Sequence, residues 1–291
     1  MVEVFRPQDL QDAVEQLEFT DCTIFAGGTD LMVKKKNWAG LEPSFGKSVM
    51  LISDMRELTQ IIEDEGFLVM GACCTFSQLL DSSLVPASLK KVFRQIASPG
   101  IRNSATLGGN ICNSSPAGDS LPMLYALDAR LLIASSCRRS EIPIEDFILG
   151  PGKNLLKAGE LIAAVKVPIA QFTTVAYKKV GTRNATALSK LSFAGLANLE
   201  KGELRELRMA FGAVAPTIVR SREIEKDILE QCQGGYPDIH SILEDYGRLI
   251  RPIDDQRSTA LYRKRVALRL LEDFLLKISL EIERSQYEDH C

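Results

Sequence analysis

No two cysteines in this chain are spaced C-x-x-C. Of the seven, at 22, 73, 74, 112, 137, 232 and 291, only Cys73 and Cys74 are neighbours, and vicinal spacing matches neither zinc nor ferredoxin ligation. Reduced thiols are expected, several of them buried as small apolar side chains, and a chain of this kind that handles electrons does so without an iron–sulfur cluster of its own. Histidine is scarce too. The sequence holds His240, read as a surface residue, and His290 in a polar stretch, which supports neither a histidine-dependent hydrolase nor a metal centre. Apolar runs long enough to cross a bilayer are missing, and the N-terminal M-V-E-V-F-R-P-Q-D-L carries acidic residues without an apolar signal region, so a cytoplasmic protein is expected. Basic residues are not in excess: 35 Lys and Arg face 38 Asp and Glu for a net charge of −3, which argues against a nucleic-acid partner. The run Lys34-Lys35-Lys36 reads as a solvated helix face. A P-loop is absent as well, because five residues separate Gly40 from Gly46-Lys47-Ser48 where the motif needs four, and Pro43 sits among them.

Glycine, by contrast, is concentrated where it can matter. Ser98 to Ser120 reads S-P-G-I-R-N-S-A-T-L-G-G-N-I-C-N-S-S-P-A-G-D-S, too small and polar for a core strand. Gly100, Gly108, Gly109 and Gly118 can take positive φ or allow close approach, and Ser98, Ser104, Thr106, Asn110, Asn113, Ser114 and Ser115 set hydroxyls and amides beside them. Successive N–H groups in such a turn form a concave nest for an oxyanion, without any lysine. Ile24-Phe-Ala-Gly-Gly-Thr-Asp-Leu31 repeats the formula, and two such loops can clamp one diphosphate. Both are equally the composition of ordinary turns. Neither has the G-x-G-x-x-G spacing of a Rossmann site, so a nucleotide held here sits on a different fold.

At 291 residues, 45% hydrophobic and 25% charged, the chain has the make-up of a globular protein of about two domains. Pro7 followed by Leu10, Ala13, Val14 and Leu17 predicts a helix leading to a strand at Cys22–Phe25, and Asp30–Trp38 a short helix after the turn. Strands are expected at Val49–Ile52 and Gly66–Ala72, with Glu63–Gly66 as a hairpin turn beside Ile61 and Ile62. Thr75 is a good cap for Phe76–Leu80. Further helices follow at Pro86–Ile96 and Leu121–Leu127, then strands at Ala129–Ala134 and Leu161–Val167. Beyond a boundary near Gln171 come strands Phe172–Val180, Leu191–Leu199 and Leu204–Ala213. Helices Val219–Gln231, Ile239–Leu249 and Thr259 to about Ile282 close the pattern, and no repeat is present.

These residues carry a resemblance. A-G-G-T-D-L at Ala26–Leu31, I-R-N-S-A-T-L-G-G-N-I at Ile101–Ile111, S-P-A-G-D at Ser115–Asp119, G-P-G-K at Gly150–Lys153, E-L-I-A-A-V-K-V-P at Glu160–Pro168 and D-D-Q-R-S-T-A-L-Y-R-K-R at Asp254–Arg265 match, in order, across almost the whole chain. The chain resembles the FAD-binding (medium) subunit of the molybdenum hydroxylases, the group of xanthine dehydrogenase, nicotinate dehydrogenase and aerobic carbon monoxide dehydrogenase. That resemblance implies an α+β chain: a PCMH-type FAD-binding fold of two α/β subdomains over residues 1–170, split near 55, and a smaller α/β domain over 171–291 with a three-stranded antiparallel sheet and helices. It also implies that the cluster-bearing insertion of the benzoyl-CoA reductase branch is missing.

By the same resemblance FAD is held by Ile24, Phe25, Ala26, Gly27, Gly28, Thr29, Asp30 and Leu31, by Thr106, Leu107, Gly108, Gly109 and Asn110, and by Asp119, Leu161, Ile162, Tyr177 and Lys178. Read from the residues alone, Asp119 is an Asx-turn or helix cap before Leu121. Leu161 and Ile162 are strand core, and Lys178 an exposed strand lysine. The implied partners are a small 2Fe-2S subunit and a large molybdopterin subunit, in a heteromer expected to dimerise, with NAD+ as the expected acceptor and the hydroxylated substrate chosen by the molybdenum subunit. A self-contained flavoenzyme of the alcohol-oxidase or enolpyruvyl-reductase type and a non-catalytic nucleotide-binding module are the alternatives.

Overall fold

A computed structural model describes residues 2–39, 41–183, 186–233 and 235–288. Gly40, His290 and Cys291, singled out from the sequence, lie outside these. In chain order the elements are β1 (Val4–Phe5), α1 (Leu10–Phe19), β2 (Cys22–Phe25), α2 (Leu31–Lys34), β3 (Ser48–Leu51), β4 (Ile61–Asp64), β5 (Phe67–Gly71), α3 (Phe76–Asp81), α4 (Ala87–Phe93), α5 (Pro99–Arg102), α6 (Leu107–Cys112) and α7 (Leu121–Ala126). They continue with β6 (Arg130–Ala134), β7 (Arg139–Pro143), α8 (Ile144–Phe147), β8 (Ile148–Gly150), β9 (Lys153–Asn154), β10 (Leu161–Pro168), β11 (Thr174–Val180), β12 (Leu191–Glu200), β13 (Glu203–Gly212), α9 (Arg222–Cys232), α10 (Ile239–Leu249) and α11 (Ala260–Glu288).

Two units contain them: Met1–Ser115 with Asp128–Ile169, and Pro116–Leu127 with Ala170–Cys291. In the first unit a parallel sheet of order β1-β3-β2 accompanies an antiparallel sheet of order β4-β5-β10-β6-β7. Asp9 starts α1 by accepting a hydrogen bond from the Asp12 amide at 2.8 Å, so the helix begins at Leu10 and Pro7 stays outside it. Its apolar face, Ala13, Val14 and Leu17, packs on Met50, Ile52, Met55 and Leu58 together with Ala134 and Leu161, so one core serves both sheets. Full burial of a side chain such as Val14 contributes about 1.5–3 kcal/mol. Thr75 and Gln78 form a capping box that fixes the start of α3, the position expected from the sequence.

The second unit is built on the antiparallel sheet β11-β12-β13, covered by α7, α9, α10 and α11. Phe193, Phe211, Phe274 and Tyr246 interlock in its core, and Gly195 leaves the room on β12 that the Phe274 ring of α11 fills. The segment around α7 is tied in by backbone groups: the Ala213 amide donates to Pro116 O at 2.7 Å, and Arg208 and Arg220 donate to Ala126 O and Tyr125 O at 3.0 and 2.5 Å. The architecture is the α+β arrangement expected from the sequence, with a three-stranded antiparallel sheet in the second unit. No described helix is long and apolar enough to cross a membrane.

Local differences have local causes. Ser98 to Ser120 is not an open loop, since it contains α5 and α6. The helix expected over Asp30–Trp38 is the single turn α2, and α11 runs past Ile282 to Glu288. The short α8 and the β8–β9 hairpin have no apolar periodicity of their own and were not anticipated.

Candidate active site

The parallel strand β2 delivers Ile24 and Phe25 into the turn Ala26–Asp30, where Gly28 takes φ +70°, the left-handed region that glycine adopts without strain. The turn closes as the Met32 amide donates to Gly28 O at 2.8 Å and the Lys34 amide to Asp30 O at 3.0 Å. Among the described residues the amides of Gly27, Gly28, Thr29, Asp30 and Leu31 have no acceptor. Consecutive N–H groups without a protein acceptor in such a turn form a concave, partly positive surface suited to an anion.

The second glycine segment behaves differently from its sequence expectation. Thr106 caps α6 by accepting from the Gly109 amide at 3.1 Å. The Leu107 amide donates to Cys74 O at 3.0 Å, that of Gly108 to Ala72 O at 2.8 Å and that of Asn110 to Thr106 O at 3.0 Å. The nest expected at these amides is therefore already filled by protein acceptors, and of the two loops it is Gly27–Leu31 that keeps donors open. None of Gly100, Gly108, Gly109 and Gly118 has positive φ. Their role is space: a Cβ on Gly108 would lie 2.7 Å from Ala72 Cβ, and one on Gly27 would lie 1.8 Å from Ser104 O. Missing side chains thus bring the two segments against each other.

Between them lies a cleft of about 290 Å³. It collects Ile24, Ala26, Gly27, Gly28, Thr29, Asp30 and Leu31 from the first segment, Thr106, Gly108, Gly109 and Asn110 from the second, and Leu161 and Ile162 from β10. The ladder between β10 and β6 shifts register between Ile162 and Ala164, an irregularity of the kind that re-aims side chains beside sites. Phe25 and Leu107 do not line the cleft; Leu107 is wholly buried, and a Cβ on Gly28 would run into the Phe25 ring. Several lining residues were not among the sequence candidates: Ile52, Cys73, Cys112, Leu156 and, above all, Lys34, whereas Asn113 lines the cleft as its place in the Ser98–Ser120 segment suggested. Lys34 is exposed, as the lysine run suggested, and its Nζ also donates to Asn113 Oδ1 at 2.5 Å across 79 residues. Its spacing of one helical turn from Asp30 was the available signal. Burial pushes the Cys73 and Cys112 thiols up to about 12, so both stay protonated at neutral pH.

Asp119, Tyr177 and Lys178 belong to the second unit. Asp119 caps no helix through its side chain. Its carboxylate accepts from Lys179 at 2.5 Å and from the Ser189 hydroxyl, while Tyr177 donates to Asp119 O at 2.9 Å. Burial raises the Asp119 carboxyl above its ordinary value, and Lys179 and Ser189 pull it back. Tyr177 is buried and held neutral by that burial, and Lys178 is exposed on β11.

The family described as "FAD binding domain in molybdopterin dehydrogenase" matches residues 1–170, the stretch that contains the whole cleft. This chain belongs to that family. Residues 175–278 match the CO dehydrogenase flavoprotein C-terminal domain. The xanthine dehydrogenase FAD-binding subunit of Escherichia coli O157:H7 is 33% identical over 228 residues, covering 76% of this chain and 77% of the relative. The carbon monoxide dehydrogenase medium chain of Hydrogenophaga pseudoflava is 26% identical over 281 residues, 93% and 94% of the two chains. A solved structure of carbon monoxide dehydrogenase from the same organism, lacking the Mo-pyranopterin moiety, superposes with a TM-score of 0.85 at 24% identity over 97% of this chain and 98% of that one, and shares the fold. The chain is thus an FAD-dependent oxidoreductase subunit of the molybdenum hydroxylase type.

The residues present fit FAD. Open amides at Gly27–Leu31 suit a diphosphate, Gly109 presents no side chain where it lines the cleft, and Leu161 and Ile162 offer an apolar wall for a flavin ring.

Proposed function

We propose that this chain relays electrons between the 2Fe-2S clusters of a small partner subunit and NAD+ or another soluble acceptor, within a heteromer whose large subunit carries molybdopterin, in the cytoplasm. The observation that carries the reading is the cleft with its row of open amides, in a chain whose relatives are named as FAD or medium subunits. FAD, when bound, supplies the hydride and one-electron chemistry. The chain's own residues have simpler duties. Amides of Gly27–Leu31 donate to the diphosphate, the Gly27–Ser104 contact keeps the loops at a fixed separation, and Leu161 and Ile162 exclude water from the apolar wall. No proton-transfer pair is needed, and among the described residues no histidine lines the cleft.

The test is a gentle co-purification with identification of the partners, followed by assay of the isolated FAD-loaded chain. NADH oxidation with an artificial acceptor is expected, without hydroxylation of any purine or heteroaromatic acid. Hydroxylation by the isolated chain would overturn the heteromer, and failure to oxidise NADH would remove NAD+ alone.

A further inference from the structure

We infer that Lys34 is the counter-charge this cleft supplies to the diphosphate of its cofactor, with Asn113 as the neutral partner that orients the ammonium. The inference rests on the FAD reading and goes beyond it, since glycine-loop amides alone satisfy that reading. Three observations converge. Lys34 is the one cation among the described residues lining the cleft, in the same wall as the open amides of Gly27–Leu31. Its backbone amide is fixed to Asp30 O at 3.0 Å, so the side chain departs one helical turn beyond those amides. Its Nζ has a carboxamide oxygen at 2.5 Å and, among the described residues, makes no ion pair.

An amide oxygen orients an ammonium without neutralising it, so the full positive charge remains available to an incoming anion. The other charged lining residue is the exposed Asp30, which alone would repel a diphosphate. Lys34 offsets that charge and leaves the amides free to attract. Lys35 and Lys36, although adjacent, do not line the cleft.

The experiment uses the full chain stripped of cofactor and titrated with FAD and with riboflavin, which lacks the diphosphate. Lys34→Gln is expected to weaken FAD about tenfold, equivalent to ~1.4 kcal/mol. Riboflavin affinity should stay unchanged, and the salt dependence of FAD binding should become shallower. Lys34→Arg should restore most of the FAD affinity. Because Lys34 is exposed, the urea midpoint of Lys34→Gln apoprotein should match wild type. Equal loss of FAD and riboflavin, or no loss of either, overturns the assignment. Wild-type protein that takes up riboflavin but no FAD would bring down the cofactor reading itself, a result seen before any variant is made.

Discussion

Replacing Gly27 by alanine would put a methyl group 1.8 Å from the carbonyl oxygen of Ser104, 2.7 Å from its carbon and 3.1 Å from Ala105 Cα. Ordinary C···O contacts sit at about 3.3 Å or more, so the two segments must separate by ~1.5 Å. All three obstacles are backbone, and the backbone is fixed. The Ser104 and Ala105 amides donate to Ile101 O at 3.1 and 2.7 Å, the Phe76 amide donates to Ala105 O at 3.1 Å, and Leu107 is tied to Cys74. Overpacking of this kind costs about 1–3 kcal/mol, and each hydrogen bond broken in relieving it a further ~1 kcal/mol. Stiffening of the unfolded chain by alanine returns about 0.4–1 kcal/mol. A net loss of roughly 2–3 kcal/mol follows from these terms, with a parallel loss of FAD affinity as the cleft wall shifts. Gly109→Ala is the matched control, because its methyl meets a single side-chain atom, Thr106 Oγ1 at 2.8 Å, at a cost of about 1 kcal/mol through a weakened helix cap. Urea unfolding of the full-length apoprotein, paired with FAD titration, measures both quantities. A Gly27→Ala variant with wild-type midpoint and wild-type affinity would refute the close contact, and equal losses in the two variants would show that the glycines answer to something other than these neighbours.

Gly109→Asp sets a carboxylate in the cleft and is expected to abolish FAD binding with the circular dichroism of the fold retained; a folded variant that keeps its flavin would displace the diphosphate from this wall. The flavin should be noncovalent, since the cleft thiols are held protonated and no histidine lines it among the described residues, so acid precipitation should leave FAD in the supernatant; colour in the pellet contradicts this. Arg220→Met removes the guanidinium facing the buried Glu225 carboxylate at 3.0 Å and should cost about 3–5 kcal/mol, whereas the double Arg220→Met, Glu225→Met variant should recover a large part; urea midpoints of the two decide it. Glu141, hydrogen-bonded by Arg130 at 2.6 Å and flanked by Lys166, has its carboxyl held below the ordinary value, so its contribution is present above the unfolded carboxylate range and is lost as pH falls through the lowered folded value. At this surface site the amplitude stays under ~1 kcal/mol, and Glu141→Gln should flatten the acid limb of the stability curve by that amount and no more.

How much of this was legible depended on whether local chemistry or distant partners set each feature. Strand β2 and helix α10 have the bounds their sequences predict, because a short apolar run stopped by the Gly27-Gly28 turn and a 3.6-residue apolar stripe capped by Asp238 are complete within a few residues. Helix α6 could not be read in that way. Leu-Gly-Gly-Asn carries little intrinsic helical preference, and its first turn is held by carbonyls of Ala72 and Cys74, more than thirty residues earlier in the chain. Missing those acceptors, the sequence reading placed an anion nest where the donors are already satisfied, and could not rank Gly27–Leu31 above it. Asp119 shows the same limit: proximity to Leu121 suggested a cap, while its real partners, Lys179 and Ser189, lie 60 and 70 residues onward. Lys34 is the most instructive case, since solvent exposure, correctly inferred from a run of lysines, does not exclude a place in a cleft wall. An exposed ammonium reaching Asn113 is both solvated and part of the cleft wall, and only the fold supplies the second half of that description. The family motifs pointed to the cofactor because paired glycines leave the room that a backbone needs to approach a diphosphate. The charge that accompanies them is free to move to any residue the turn geometry brings within reach, which is why motif and counter-ion need not be read from the same letters.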